Sequence, residues 1–165
     1  MFEVLAYVYE HYFCEDSFLE PAVLTRKLNA VGFEPDEIGA AVVWLSELNT
    51  AARGSRGSAV TPPAERPEPW LKEPQPTSVR IYSAVEQRRL GAKGMGYLVF
   101  LESAGLISAP LREVVIDRVL AAPIGSVDML GLKTILLMVF WSFGCAPGEL
   151  LLDELCEDNS DRLAH

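Results

Sequence analysis

Met129-Leu-Gly-Leu-Lys133-Thr-Ile-Leu-Leu-Met-Val-Phe-Trp-Ser-Phe143 is the most apolar run in the chain, and its reading decides the fold. Fifteen helical residues span roughly 22 Å, short of the roughly 30 Å of a bilayer core. Lys133 also interrupts the run. A helix that is apolar nearly all round belongs inside a protein, under other elements. The expectation is therefore a central core helix over 129–143. Asp128 or Ser126 supplies its N-terminal cap by accepting from a free N–H of the first turn.

Moving outward, the flanking stretches also read as helices. Residues 110–121 open on Pro110 and close before Pro123, with Val115 and Val119 facing in and Glu113 and Asp117 facing water. Ser83 and Glu86 have capping-box spacing, which starts a helix to about Leu90. Gly91, Gly94 and Gly96 then leave the next turn open, and Tyr97 to Ala104 is helical again before Gly105. After the central run, residues 148–157 set Leu150, Leu151 and Leu155 against Asp153, Glu154 and Glu157, the pattern of an acidic amphipathic helix.

The N-terminal part gives three more helices. Phe2, Leu5, Val8, Tyr9, Tyr12 and Phe13 recur at helical spacing over 2–13. Pro21 opens a helix carrying Val23, Leu24 and Leu28, which Gly32 ends. A third begins near Pro35, with Asp36 and Glu37 suiting its positive end. Its stripe is Ile38, Ala41, Val42, Leu45 and Leu48, widened by Trp44. Only Val79, Ile81 and Tyr82, alternating with Arg80 and Ser83, suggest a short extended segment. The fold class expected is all-α: an orthogonal multi-helix bundle of about six to eight short helices around helix 129–143.

Composition divides the chain. Residues 49–82 hold six of the eleven prolines, and Arg53 to Ser58 is rich in glycine and serine. The expected organisation is an N-terminal three-helix segment over 1–48, a flexible proline-rich linker over 49–78 and a helical core over 79–165. Three helices in 48 residues lie near the lower limit for independent folding. Residues 1–48 are thus expected to pack on the rest. Leu28-Asn-Ala-Val-Gly32-Phe33 echoes Leu101-Glu-Ser-Ala-Gly105-Leu106, either as a repeated helical hairpin or as the pattern that recurs wherever glycine ends a helix.

The chain has 165 residues, half of them apolar, and a net charge of −9. An acidic excess repels phosphate backbones, so a nucleic-acid role needs a local basic patch. Residues 1–48 sum to −7 and 128–165 to −5, whereas 49–82 and 83–127 sum to +2 and +1. The best basic set lies in the middle: Arg80, Arg88, Arg89, Lys93, Arg112 and Arg118, with Tyr82 and Tyr97 near them in sequence. Arginine beside aromatic rings is what a nucleic-acid surface uses. Intramolecular pairing with the acidic helices is the competing reading.

Other chemistry is weaker. Glu10, His11, Cys14 and Glu15 fall within about one helical turn, but a closed zinc site takes four ligands and no second Cys/His pair exists. Cys145 and Cys156 have no base nearby in sequence. The carboxylates Glu113 and Asp117, or Asp153, Glu154 and Glu157, suit a solvated helix face better than acid–base work. Gly91-Ala-Lys93-Gly94-Met-Gly96 matches neither phosphate-loop spacing. No metal, cofactor or catalytic residue is expected. Three cysteines without a framework fit a reducing compartment. The N-terminus MFEVLAYVYEHY lacks the basic region of a secretory signal, so a cytoplasmic location without membrane contact is expected.

Several stretches also resemble the Smg family, in order along nearly the whole chain. They are Phe2-Glu-Val-Leu-Ala-Tyr, then Gly32-Phe33-Glu34 with Ile38 and Trp44-Leu45, then Arg80-Ile81-Tyr82. Gly96-Tyr-Leu-Val-Phe-Leu-Glu102, Arg112-Glu-Val-Val-Ile-Asp-Arg118-Val-Leu120 and Leu132-Lys-Thr-Ile-Leu-Leu-Met138 complete the series. The linker is longer and richer in proline than the family leads one to expect. The resemblance implies a bacterial cytoplasmic protein without established activity and carries over no catalytic residue. Family members are often encoded beside DNA-processing genes, which implies a link to DNA metabolism through a partner.

Two functions remain open at this point. One is a non-enzymatic interaction or adaptor protein that docks an unidentified protein partner through Leu150, Leu151 and Leu155. The alternative is a nucleic-acid-associated, helix-turn-helix-like accessory factor. It would contact an anionic partner through Arg80, Tyr82, Arg88, Arg89, Lys93, Arg112 and Arg118.

Overall fold

The computed structural model describes residues 1–12, 20–58, 80–123, 125 and 127–144. Among them are six helices and no strand: α1 (Phe2–Tyr12), α2 (Pro21–Val31), α3 (Pro35–Ser58), α4 (Ala84–Ser103), α5 (Ala109–Ala121) and α6 (Met129–Phe143). The all-α expectation holds. The segment 148–157, with Leu150, Leu151 and Leu155, lies outside the described residues, as do Cys14, Cys145, Cys156 and the stretch 59–79.

α6 is the core helix that its sequence requires. Every residue from Gly131 to Phe140 is buried, Lys133 included. α1, α3, α4 and α5 all pack against it. The Asp128 carboxylate caps it, accepting from the N–H of Gly131 at 2.8 Å. Thr134 and Ser142 donate their hydroxyls to the carbonyls of Leu130 and Met138. Those two hydroxyls are thus satisfied within the helix's own turns. No described helix is long and apolar enough to cross a membrane.

The N-terminal helices supply one wall. α1 buries Val4, Leu5, Val8 and Tyr9, and packs on α3 and α6. α3 buries Ile38, Ala41, Trp44, Leu45 and Leu48, and α2 rests on it through Leu24 and Leu28. α3 does not stop at Leu48. It continues to Ser58, so the first ten residues of the stretch 49–78 are helical. Ala52 is buried in that continuation; a small apolar residue carries the stripe on where large ones have ended.

The two echoed stretches share one local cause. The N–H of Phe33 donates to the carbonyl of Leu28 and that of Gly32 to Asn29. The N–H of Leu106 likewise donates to Leu101 and that of Gly105 to Glu102. Gly32 and Gly105 both sit at positive φ, 102° and 70°. Each is a helix end closed by the same pair of bonds around a left-handed glycine, which accounts for the echo without a duplication.

α4 is two helical stretches meeting at Gly91, as expected, but the break is that one residue and the second stretch begins earlier than Tyr97. Gly91 alone is non-helical (φ 64°, ψ 173°), while Gly94 and Gly96 continue the helix. The expected capping box is present at its start. Residues 80–83 are irregular and show no pairing as a strand.

Candidate functional site

The predicted basic set divides once the helices pack. α4 and α5 lie against each other in opposite senses: Arg89 reaches the end of α5, and Arg112 at its start reaches Glu102 near the end of α4. That arrangement builds a cluster of ions. The guanidinium of Arg80 grips Glu86 through two bonds of 2.7 and 2.8 Å and Glu113 through two of 3.0 and 2.8 Å. Arg112 bonds Glu102 at 2.5 Å and Glu113 at 2.7 Å. Two arginines thus face three glutamates, and the cluster is acidic by one charge. An anion gains nothing there.

The cluster fixes residues 80–83 to both helices. Arg80 lies over the Tyr82 ring, 4.6 Å from its centroid. The Tyr82 hydroxyl is buried without a hydrogen-bond partner among the described residues, and burial raises its pKa. Burial works to lower the pKa of Arg112, but the bonds from Glu102 and Glu113 outweigh it and the value is raised. The bonds from Arg80 lower the pKa of Glu113 and hold that of Glu86 at about 2, against an ordinary 4.5.

Those shifts predict an acid-sensitive fold. A carboxylate whose folded pKa is depressed stabilises the native state above its unfolded pKa, and loses that contribution as pH falls through the folded one. Stability is expected to drop by about 1–2 kcal/mol between about pH 5 and pH 2 from Glu86, allowing for screening near the surface. Urea midpoints measured across that range should show the drop, and Glu86→Gln should flatten it.

The remaining arginines are also engaged. Arg118 is buried between α3 and α5, bonded to Glu47 at 2.9 Å and Asp117 at 2.8 Å. Its backbone carbonyl accepts from the Trp44 indole at 3.0 Å. Arg89 donates to the carbonyls of Val119, Leu120, Ala122 and Gly125 where α5 ends. Arg88 and Lys93 are exposed and have no carboxylate partner among the described residues. The seven residues proposed to meet an anion therefore do not form one basic face.

Among the described residues no metal site emerges either. The described residues contain no group of three or more His, Cys, Asp or Glu that would hold an ion. His11 stacks on Tyr7 at 3.8 Å, and its Nδ1 lies 3.0 Å from the Tyr7 carbonyl oxygen. A cleft of about 430 Å³ opens between α2 and α3 beside Glu20, Ser46, Asn49, Thr50 and Arg53. The hydroxyls of Ser46 and Thr50 are turned to carbonyls of their own helix.

A different surface stands out, and sequence reasoning missed it. On α4 beyond the kink, Leu98, Leu101 and Gly94 face the core. The opposite side presents Ala92, Lys93, Gly96, Val99, Phe100 and Ser103, all exposed. Val99 and Phe100 are 53% and 52% exposed. A Cβ added at Gly96 would meet nothing within 4 Å. The face is a shallow trough of small residues between two large apolar ones, with one cation and no carboxylate. Its spacing (92, 96, 99, 100, 103) is helical and legible once 92–103 is read as helix.

These features define a small all-α protein, with an apolar helix at its centre and an apolar trough on its outside. The chain belongs to the Smg family. Residues 1–165 match the family model described as "Protein of unknown function (DUF494)". The chain is 46% identical to "Protein Smg homolog" of Methylibium petroleiphilum and 41% identical to that of Leptothrix cholodnii, each over 100% of both chains. Identity to the Bordetella pertussis protein of the same name is 36%, again over 100% of both. No solved structure matches.

Proposed function

We propose that this protein is a non-catalytic binding protein of the bacterial cytoplasm, and that it engages a protein partner through the outer face of α4. The observation that carries the reading is the pairing of half-exposed Val99 and Phe100 across the open backbone at Gly96. Burying apolar side chains from water drives protein association. A trough of small residues between apolar walls suits an amphipathic helix laid into it. Lys93 at the edge and the absence of carboxylates favour a partner helix with an acidic margin.

The nucleic-acid reading gains no support from the charge arrangement. Arg80, Arg112 and Arg118 are paired with carboxylates and Arg89 with carbonyls, which leaves Arg88 and Lys93. Phosphate binding by so few cations would be weak at physiological salt.

Gly96→Gln tests the proposal without disturbing the fold, because the added side chain enters open space and glutamine favours helix over glycine. A partner captured by the wild-type protein and then purified should bind the Gly96→Gln protein at least tenfold more weakly. Equal binding by the two proteins would remove α4's outer face from the account.

A further inference from the structure

We infer that a second copy of the chain meets the outer face of α4, by way of the groove between its α3 and the end of its α5. The inference rests on the reading of the α4 face as an interaction surface, and names a partner for it. Shape, charge and spacing each point to this groove.

The groove has a volume of about 360 Å³. Gly39, Ala40, Val43 and Glu47 of α3 line one side of it, and Ala121 and Pro123 line the other. Val43 is 58% exposed, and a Cβ added at Gly39 would meet nothing within 4 Å. Trp44, which also lines the groove, is held in place by its indole bond to the Arg118 carbonyl at 3.0 Å. Apolar surface thus stands open here as it does on α4, and joining the two removes both from water.

The charges are opposite. The α4 face carries Lys93 and no carboxylate, whereas no lysine or arginine lines the groove. Glu47 is 54% exposed and gives one oxygen to Arg118, while the other accepts no bond among the described residues. Arg118 is shared between Glu47 and Asp117, so these three keep one negative charge. Asp36, exposed a turn before Ala40, adds a second acid on the same side.

The spacing matches as well. Lys93, Gly96 and Phe100 follow one another at three and four residues, on one face of α4. Glu47, Val43 and Ala40 follow one another in reverse at four and three on α3. Each row covers seven residues, about 10.5 Å of helix. An antiparallel approach of the two helices therefore sets Lys93 on Glu47, Val43 over the open backbone at Gly96, and Phe100 in the groove beside Ala40. Face and groove are different surfaces, so the contact is head-to-tail. One helix face in a shallow groove lies at the small end of interface sizes, so association is weak and depends on concentration. Another protein that presents such an acidic helix would compete for the same face.

Sedimentation velocity of the full-length chain over a wide range of concentration tests this. Two variants are needed, Phe100→Asp on the face and Val43→Asp on the groove. Both side chains are more than half exposed, so neither change disturbs the core. The wild-type chain is expected to pass from monomer to larger species as its concentration rises. Each variant alone should associate at least about tenfold more weakly, because a carboxylate is left against apolar surface. An equal mixture of the two should form a one-to-one complex, since each supplies the surface that the other lacks. Lys93→Glu should weaken association by about threefold or more. A wild-type chain that stays monomeric overturns the inference. So does a mixture that stays monomeric, or a Lys93→Glu chain that associates as the wild type does. Self-association of Val43→Asp equal to wild type overturns it too, because two α4 faces would then be meeting each other. If the wild type stays monomeric and a purified partner still binds Gly96→Gln more weakly, the second copy alone is lost and the proposed function stands.

Discussion

Replacing Leu136 by alanine is expected to destabilise the protein by about 3–4 kcal/mol, the upper part of the range for a leucine deleted from a closed core. Leu136 is fully buried at the midpoint of α6, the helix on which α1, α3, α4 and α5 all pack. The loss has two parts: the transfer energy of the removed methyl groups, and the cavity that four surrounding helices cannot all close. Small domains are stable by only about 5–15 kcal/mol, so this single change removes a large fraction. Urea unfolding followed by circular dichroism measures it directly. Leu120→Ala makes a good control, because Leu120 is 37% exposed on α5 and should cost less than about 1 kcal/mol.

Arg89→Ala is expected to cost about 2–3 kcal/mol, although it removes no ion pair. The Arg89 guanidinium closes the end of α5 by donating to Gly125 at 2.6 Å, to Val119 at 3.0 Å, to Leu120 at 3.1 Å and to Ala122. A helix ends with carbonyls that have no partner in the helix, and a cation there also opposes the negative end of the helix dipole. Hydrogen bonds from a charged donor are worth about 1.5–3 kcal/mol. Alanine removes all of them at once from the turn that delivers α6 to the core. Arg89→Lys should recover less than half of the loss, because an ammonium has no planar fork with which to span several carbonyls. Full recovery in the lysine variant would show that charge alone matters there.

Local signals were legible in the sequence. The Ser83–Glu86 capping box, the Asp128 cap and the glycine ends at Gly32 and Gly105 involve residues no more than five apart, and each forms as its spacing requires. Helix 129–143 was legible because a surface helix cannot be apolar all round. The arginines were not legible as pairs. Glu113 is 33 residues from Arg80 and Glu47 is 71 from Arg118, and only packing brings them together. The unlike charges of the N-terminal and middle segments pointed to pairing between them, which Arg118 makes with Glu47, whereas Arg80 and Arg112 pair with glutamates of the middle segment itself. Boundaries failed where glycine was read as punctuation. α3 continues through Gly54, and α4 through Gly94 and Gly96, because tertiary packing outweighs a weak local propensity. The outer trough of α4 was hidden for the same reason: its period appears only when 92–103 is read as helix through Gly94 and Gly96.

The proposed function requires that α4 meet another protein through Phe100 and its neighbours. The most direct measurement places a photoreactive benzophenone amino acid at position 100 in living bacteria, and at exposed Arg26 on α2 as the reference. Irradiation should give a covalent product heavier by the mass of a second protein from position 100 and none from position 26. A link within one chain would leave the mass unchanged and would not be mistaken for it. No heavier product from position 100, or the same products from both positions, would contradict the claim.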